Sequence, residues 1–437
     1  MSKNEISYIS TRNGNESKNF SGAMEQGLAR DGGLFIPDRW PDLSDKLWNH
    51  IESMSITDIG SALAQTFVPE IPADRLESLV EDAISFDAPL VHLHDDLYVL
   101  ELFHGPTLAF KDYGARFMAR MMSYRAEQAS QRMVILVATS GDTGSAVGRA
   151  FEGVDNVDVC LLYPSGKVSP LQEQQLTTIG GNVTALEVEG TFDDCQKLVK
   201  DAFSDSKLRD ELILSSANSI NIARLLPQMF YYGRGLAQLE ESDSVHFCVP
   251  SGNFGNLTAG MMAAQTGMSV GQFIAGTNVN DVVPEFLESG NFSPRASQKT
   301  ISSAMDVGNP SNLERIRSFY PDVVELRQHL WAASFNDDAC RTVIEEVYQS
   351  YDYILDPHTA VGYLAANSYR KEQESDQPVI ILGTAHPAKF SDIVEPLIDT
   401  EIPLPGALKE SMEKEKKSVR MYASYPKFKS FLREQYS

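Results

Sequence analysis

From Met133 onward the chain repeats one texture: a short, continuous apolar run rich in Val, Ile and Leu, then a Gly/Ser loop, then an amphipathic helical pattern. The runs are "MVILVA", "DVCLLY", "VTALEV", "ELILSS", "SVHFCVP", "GQFIAG" and "PVIILG". Continuous apolar strands alternating with helices are what a parallel sheet covered on both faces demands, because neither face of such a strand meets water. An α/β protein with more than one βαβ set follows. Ligands of such sheets bind outside the carboxyl ends of the strands, so the loops after these runs are where chemistry is expected.

Composition narrows the partners. The chain has 437 residues, 42% of them hydrophobic, enough for two or three domains with real cores. A net charge of −23 repels polyanions at long range, so neither nucleic acid nor an anionic membrane is expected as a partner, and an anionic small substrate needs a local basic pocket. Cys160, Cys195, Cys248 and Cys340 are widely separated and lack ligand spacing, which favours buried thiols in a reducing compartment over a disulfide framework or a zinc site. No bound metal is expected. The start, "MSKNEISYISTRNG", has no apolar signal region and no run of about 18 apolar residues occurs, so the cytoplasm is the expected location.

The first 95 residues read as a mixed region: a strand at "ISYIST", a helix through Met24 and Leu28, then the turn-rich "RDGGLFIPDRWPD". Near the other end, after Leu408, "KESMEKEKKSVR" reads as a solvated helical face.

Three strand–loop–helix units carry the chemical signals. In "SVHFCVPSGNFGNLTAGMMAAQTG" two glycines allow the amides of Gly252, Asn253, Phe254, Gly255 and Asn256 to turn toward one point at a helix start, a phosphate cradle without a nucleotide motif. An ordinary βα turn using Gly and Asn for left-handed conformations fits the same residues. In "MVILVATSGDTGSAVGRAFEG" the hydroxyls of Ser140, Thr143 and Ser145 and the amides from Gly141 to Gly144 suit a carboxylate, or simply cap the helix. In "LSSANSINIARLLPQMF" a helix starting near Ser219 would put Asn221, Arg224 and Gln228 on one polar face, with Pro227 kinking it. Two further polar loops lie at "ILDPHTAVGYLAA", with Asp356, His358 and Thr359, and at "VIILGTAHPAKF", with Thr384, His386 and Lys389.

The stretch "ELFHGPTLAFKDYGARF" sets Lys111 straight after an apolar run and in the first turn of a helix whose Tyr113, Phe117 and Met121 recur at i+4. A helix N-terminus and apolar neighbours both disfavour an ammonium, so a neutral, nucleophilic amine is expected. An activated lysine, a phosphate cradle and a carboxylate loop together are the parts of a pyridoxal phosphate site, and Thr384 supplies a neutral hydroxyl for the ring nitrogen.

In chain order, "GLARDGGLFIP", "HGPTLAFKD", "ATSGDTGSA", "SANSINIAR", "VPSGNFGN", "DPHTAVG" and "TAHPAKF" resemble the threonine synthases of the longer bacterial and fungal type, over about Ser7 to Pro396. That family belongs to the fold type II pyridoxal phosphate enzymes, with the tryptophan synthase β subunit as a relative. The resemblance implies parallel-rich sheets flanked by helices and an N-terminal mixed α/β region. The divisions expected are 1–95, an N-terminal domain; 96–240, holding the lysine and the carboxylate loop, with a smaller mobile part at about 133–205; and 241–437, a large cofactor-binding domain with C-terminal helices. The family's aldehyde-binding lysine falls on Lys111, its phosphate loop on Gly252, Asn253, Phe254, Gly255 and Asn256, and its ring-nitrogen hydroxyl on Thr384. Its substrate-carboxylate loop falls on Thr139, Ser140, Gly141 and Thr143. Asp142 stands where many fold type II relatives carry Asn, and is expected at the cofactor's phenolic oxygen.

What the resemblance implies is a lyase of threonine biosynthesis: O-phospho-L-homoserine and water become L-threonine and phosphate. Phosphate leaves Cγ after Lys111 removes the α and β protons, and water adds at Cβ. For the γ-phosphate, Arg224 with Ser216, Asn218, Ser219 and Asn221 are the expected donors, with His104, Thr107 and Lys389 as further candidates. The rival readings are a phospholyase acting on another phosphorylated amino acid and a non-catalytic pyridoxal phosphate binder. The acidic surface suits a soluble monomer rather than a homodimer.

Overall fold

The strands, in chain order, are β1 (Tyr8–Ser10), β2 (Ser17–Lys18), β3 (Phe35–Pro37), β4 (Leu90–His94), β5 (Leu97–Glu101), β6 (Met133–Ala138), β7 (Val157–Pro164), β8 (Val183–Glu189), β9 (Ile213–Ser215), β10 (His246–Pro250), β11 (Phe273–Thr277), β12 (Leu330–Ser334), β13 (Val379–Gly383) and β14 (Val419–Tyr422). They come from a computed structural model that describes residues 5–129, 132–139, 141–239 and 244–436. Three sheets result, in the orders β2-β1-β3, β12-β11-β10-β13-β5-β4 and β14-β8-β7-β6-β9. The first is antiparallel. The third is parallel throughout, and the second is parallel except for its edge strand β4.

Sequence and burial agree where the apolar runs are continuous. Every residue of β6, β7, β10, β11 and β13 is buried, as helices on both faces require. Edge strands read differently. β4, β12 and β14 are half-buried or exposed along most of their length, so they lack the apolar run by which a central strand is recognised. β4 and β5 are a hairpin whose tight turn uses Asp95 at φ 46°.

Several expectations need correction. The first helix is Phe20–Gln26 and does not reach Leu28, because Gly27 at φ 74° ends it and Leu28 pairs with Leu34 instead. Pro227 breaks rather than kinks its segment. One short helix runs Ile222–Leu225 and a second Gln228–Leu236, with Asn221 capping the first. The charged C-terminal stretch is not one helical face. Its helix ends at Glu413, Lys416 pairs with Glu173 and Glu187, and Val419–Tyr422 joins the five-stranded sheet beside β8.

Sheet membership also crosses the lines at 95 and 240. β5 pairs with β13 and therefore with the C-terminal half, while β14 returns to the sheet built from residues 133–215. The four cysteines are free and buried, as expected.

Candidate active site

One cleft collects residues from seven stretches of the chain: Phe110 and Lys111, Asp142 and Thr143, Ser219, Arg224 and Gln228, Pro250 to Asn256, Ala304 and Met305, His358, and Thr384 and Ala385. It lies past the carboxyl ends of β6, β10 and β13, where a parallel sheet leaves its ligand site.

The lysine is placed by backbone. The Phe110 amide donates to the Thr384 carbonyl at 3.0 Å, the His386 amide donates to the Leu108 carbonyl at 3.1 Å, and Ala109 bridges Ala385. Asp112 turns the loop back on itself, accepting from the Thr107 amide at 2.8 Å and the Thr107 hydroxyl at 2.6 Å. A Cβ on Gly105 would sit 2.5 Å from Asp112 Oδ2, so the turn needs glycine there. Lys111 then opens the helix Lys111–Ala129, with Nζ 4.9 Å above the Phe110 ring and 3.7 Å from Asp142 Oδ2. Burial lowers the Lys111 pKa; Asp142 opposes that, and the ammonium of Lys389 and guanidinium of Arg224 push it further down. The neutral amine inferred from sequence is thus favoured chiefly by desolvation.

Thr107 and His104 were expected to contact substrate, and neither faces the cleft. Thr107 is buried against Asp112, and His104 is exposed and held by Glu101 Oε2 at 2.8 Å.

The loop before Asp142 is braced from within. The Thr139 hydroxyl accepts from the Gly141 and Gly144 amides at 3.0 and 2.9 Å and donates to the Gly141 carbonyl at 3.1 Å. Those two amides, expected for a carboxylate, are therefore occupied; Thr143 faces the cleft. Gly141 lies at φ 149°, and a Cβ there would strike the Gln172 amide at 2.6 Å. Ser140 lies outside the described residues. Asp142 is buried; burial raises its pKa, but Lys389 at 2.7 Å and Lys111 more than offset this and hold it ionised far below the usual carboxylate range.

Of the segment from Ser216 to Gln228, the structure brings Ser219, Arg224 and Gln228 to the cleft. Asn221 is fully buried and structural: its amide group donates to the Met24 and Ser216 carbonyls, and its oxygen caps the Ala223 amide. Ser216 accepts from the Asn218 amide, and neither lines the cleft. Arg224 is buried with no carboxylate on it. One guanidinium nitrogen donates to the Ala217 carbonyl at 2.6 Å, and Nε has no partner. Burial drives its pKa down to about 10.

The cradle follows β10. The helix Gly255–Gln265 begins inside it, so its first amides lack intrahelical partners and converge on the cleft. The left-handed residue is Phe254, at φ 59°, and not a glycine or asparagine as the turn reading supposed. Gly252 serves close packing instead, since a Cβ would lie 2.7 Å from Met305 Cα and 2.9 Å from the Ala304 carbonyl. Asn253 is held by Ser219 and by the Ser311 amide, and Asn256 accepts from the Tyr231 and Tyr232 hydroxyls while its Nδ2 has no partner.

Two buried, unpartnered donors, Asn256 Nδ2 and Arg224 Nε, line the same cleft as the helix-start amides. Such groups are costly unless an acceptor completes them. An anionic, phosphate-bearing group with an aldehyde for Lys111 and a ring nitrogen for Thr384 fits this donor set.

Sequence reasoning missed Ala304 and Met305, which close the cradle from the irregular stretch after the helix Val282–Ser289. Its length without regular structure was the available signal, since long unstructured connections in compact domains are commonly functional. Lys389, expected as a substrate donor, is buried against Asp142 and the Thr107 carbonyl and does not line the cleft.

The chain matches three protein families in turn: threonine synthase N terminus over residues 7–84, pyridoxal-phosphate dependent enzyme over 86–384, and threonine synthase, C-terminal, over 359–432. It is 44% identical to threonine synthase of Serratia marcescens, across 96% of this chain and 97% of that one. Among solved structures, threonine synthase from Escherichia coli superposes with a TM-score of 0.90 at 40% identity, covering 98% of this chain and 99% of that one. PLP-bound threonine synthase from Brucella melitensis superposes at 0.92 and 37% identity, covering 98% and 99%.

Proposed function

The chain belongs to the threonine synthase family of pyridoxal-phosphate-dependent enzymes, and from that premise we propose which of its residues carry the reaction. The reaction is the conversion of O-phospho-L-homoserine and water to L-threonine and phosphate, with pyridoxal 5'-phosphate as cofactor. When bound, the cofactor supplies an electron sink beside the substrate's Cα.

Lys111 Nζ would hold the cofactor aldehyde and, once free, would carry protons one at a time: it takes one from Cα and passes it on before taking one from Cβ, and after phosphate has left it returns protons to Cγ and Cα. Its burial, with the ammonium of Lys389 and the guanidinium of Arg224, lowers its pKa and so favours the neutral base. The amides of residues 252–256 and Asn256 Nδ2 would hold the cofactor phosphate. The Thr384 hydroxyl would serve the ring nitrogen and Asp142 the phenolic oxygen, both residues lining the cleft. Arg224 Nε, with Ser219, orients the substrate's γ-phosphate and stabilises it as it leaves Cγ, before water adds at Cβ. Thr143 contributes to holding the substrate carboxylate. The observation that carries these assignments is the convergence of Lys111, Arg224, the 252–256 cradle and Thr384 on one cleft.

The two larger sheets are proposed as the two working bodies, the five-stranded one being the smaller and the one that moves. A cytoplasmic monomer is proposed too. Four free thiols suit a reducing compartment, and the large exposed apolar side chains Leu28, Ile213, Val324, Tyr351, Met412, Val419 and Tyr422 are scattered over separate elements. No helix among the described residues is long and apolar enough to cross a membrane.

The decisive experiment follows threonine and phosphate together after adding O-phospho-L-homoserine. Equal amounts of both are expected from the wild type and neither from Lys111→Ala. Phosphate without threonine would contradict the assignment of water addition.

A further inference from the structure

We propose that Lys389 is a positioning residue for Lys111: its buried ammonium holds one oxygen of Asp142 and the carbonyl of Thr107, so that the carboxylate beside Lys111 is already neutralised. The inference rests on the reading of Lys111 as the reactive amine.

Lys389 stands in the turn Pro387–Phe390 just past Thr384, and its side chain is fully buried. Its Nζ lies 2.7 Å from Asp142 Oδ1 and donates to the Thr107 carbonyl at 2.9 Å. Both partners are protein, they take two of the three N–H donors of the ammonium, and Lys389 does not line the cleft. Asp142 Oδ1 also receives the Gln172 side-chain amide at 3.3 Å, and only Oδ2, at 3.7 Å, faces Lys111.

A buried carboxylate with no other cation would stabilise Lys111 as an ammonium and leave no base. With Lys389 on it, the pair offers Lys111 little net charge, while Lys389 itself repels a second ammonium. Both effects have the same sign. The other charged groups near this cluster are Arg224, which also repels an ammonium at Lys111; His358, which faces Asp142; and Asp112, which faces Lys389 but is bound to Thr107. The Thr107 contact adds a mechanical role, because Thr107 braces Asp112, the residue after Lys111.

The test uses the apoprotein and reads the amine directly. Trace acetic anhydride is added across a pH series and acetylation of the Lys111 peptide is followed by mass spectrometry. Lys389→Met is expected to raise the labelling midpoint by about one pH unit or more, slowing labelling at neutral pH by about tenfold. Lys389→Arg is expected to keep the wild-type midpoint. An unchanged or lowered midpoint in folded Lys389→Met overturns the proposal. If that variant does not fold, the pair Asp142→Asn with Lys389→Met decides: a midpoint near the wild type's is expected, and a fall of about one unit would mean that Asp142 acts on Lys111 un-neutralised. Borohydride trapping of pyridoxal phosphate on wild-type Lys111 tests the underlying reading separately. Its failure would remove that reading whatever the labelling shows.

Discussion

The Phe110 amide donates to the Thr384 carbonyl over 3.0 Å, tying the residue before Lys111 to the residue after β13. With the His386 to Leu108 bond and the Ala109–Ala385 bridge, this makes a short backbone zipper between two loops. The backbone positions of Lys111 and Thr384, which line the same cleft, are therefore tied to each other by main chain. Leu108 takes φ 58° within the zipper, a left-handed conformation that costs a leucine about 1 kcal/mol and is maintained by the flanking bonds.

The zipper separates two properties that a mutation would otherwise confound. Thr384→Val removes the hydroxyl and keeps the carbonyl that accepts from Phe110. The fold and cofactor binding are expected to survive, with thermal stability close to the wild type's, while kcat falls by about tenfold or more, the worth of one polar contact in a buried site. Kinetics beside a melting curve check this; a fall in both together would mean that the hydroxyl is structural.

Gly252 and Gly255 flank the same turn but differ in what surrounds them. A methyl on Gly252 meets Met305 Cα at 2.7 Å, backbone that cannot give way cheaply, whereas on Gly255 the nearest atom is Asn312 Nδ2 at 3.4 Å. Gly252→Ala is expected to destabilise the apoprotein by about 1–3 kcal/mol, as overpacking does. Gly255→Ala is expected to leave apoprotein stability nearly unchanged and to weaken pyridoxal phosphate binding by crowding the helix start. Denaturant melts of the apoproteins and cofactor titrations distinguish the two.

How much of this was legible follows from what each element needs. β6, β10 and β13 are buried on both faces and so announce themselves as apolar runs, and the loops after them carry Asp142, the cradle and Thr384. Edge strands such as β12 and β14 owe their pairing to a neighbour far along the chain, which no local pattern records. The same limit applies within the site. Sequence marks Thr107, Asn221 and Lys389 as polar residues near the chemistry, but whether a polar group faces the ligand or another part of the chain depends on contacts such as Lys389 to Asp142 and Asn221 to Met24, made across 247 and 197 positions.

Lys111 stands at a functional site that works against stability. Its pKa is lowered in the folded chain, so the unfolded chain binds more protons between the folded value and the ordinary 10.5, and folding loses free energy at every pH below that window. Lys111→Met is therefore expected to give an inactive apoprotein that is more stable than the wild type at neutral pH. The difference should shrink as pH rises toward 10.5. Paired melts at pH 7 and near pH 10 test the sign.

Arg315 is fully buried without a carboxylate, donating to the Phe35 carbonyl, the Ile220 carbonyl at 2.6 Å and Asn312 Oδ1 at 2.7 Å. Asn312 in turn donates to the Asn253 carbonyl in the cradle. Burial lowers the Arg315 pKa to about 9, yet it remains a cation at neutral pH that ties the N-terminal region to the cofactor loop. Arg315→Met leaves three acceptors, two of them buried, without their donor and is expected to cost about 2–4 kcal/mol, together with a loss of cofactor affinity. Equilibrium denaturation and cofactor titration measure both.

Arg224 answers to a different logic, because its Nε has no partner among the described residues. An anion that completes it is bound more tightly than one that does not, so Arg224→Gln is expected to raise KM for O-phospho-L-homoserine by about tenfold or more and to lower kcat, since charge grows on the leaving phosphate. Inhibition by inorganic phosphate should weaken in parallel. Pyridoxal phosphate affinity should change little, because the proposed holders of the cofactor's own phosphate are the amides of 252–256. An unchanged KM with lost cofactor binding would instead assign Arg224 to the cofactor and leave the substrate phosphate to Ser219 and its neighbours.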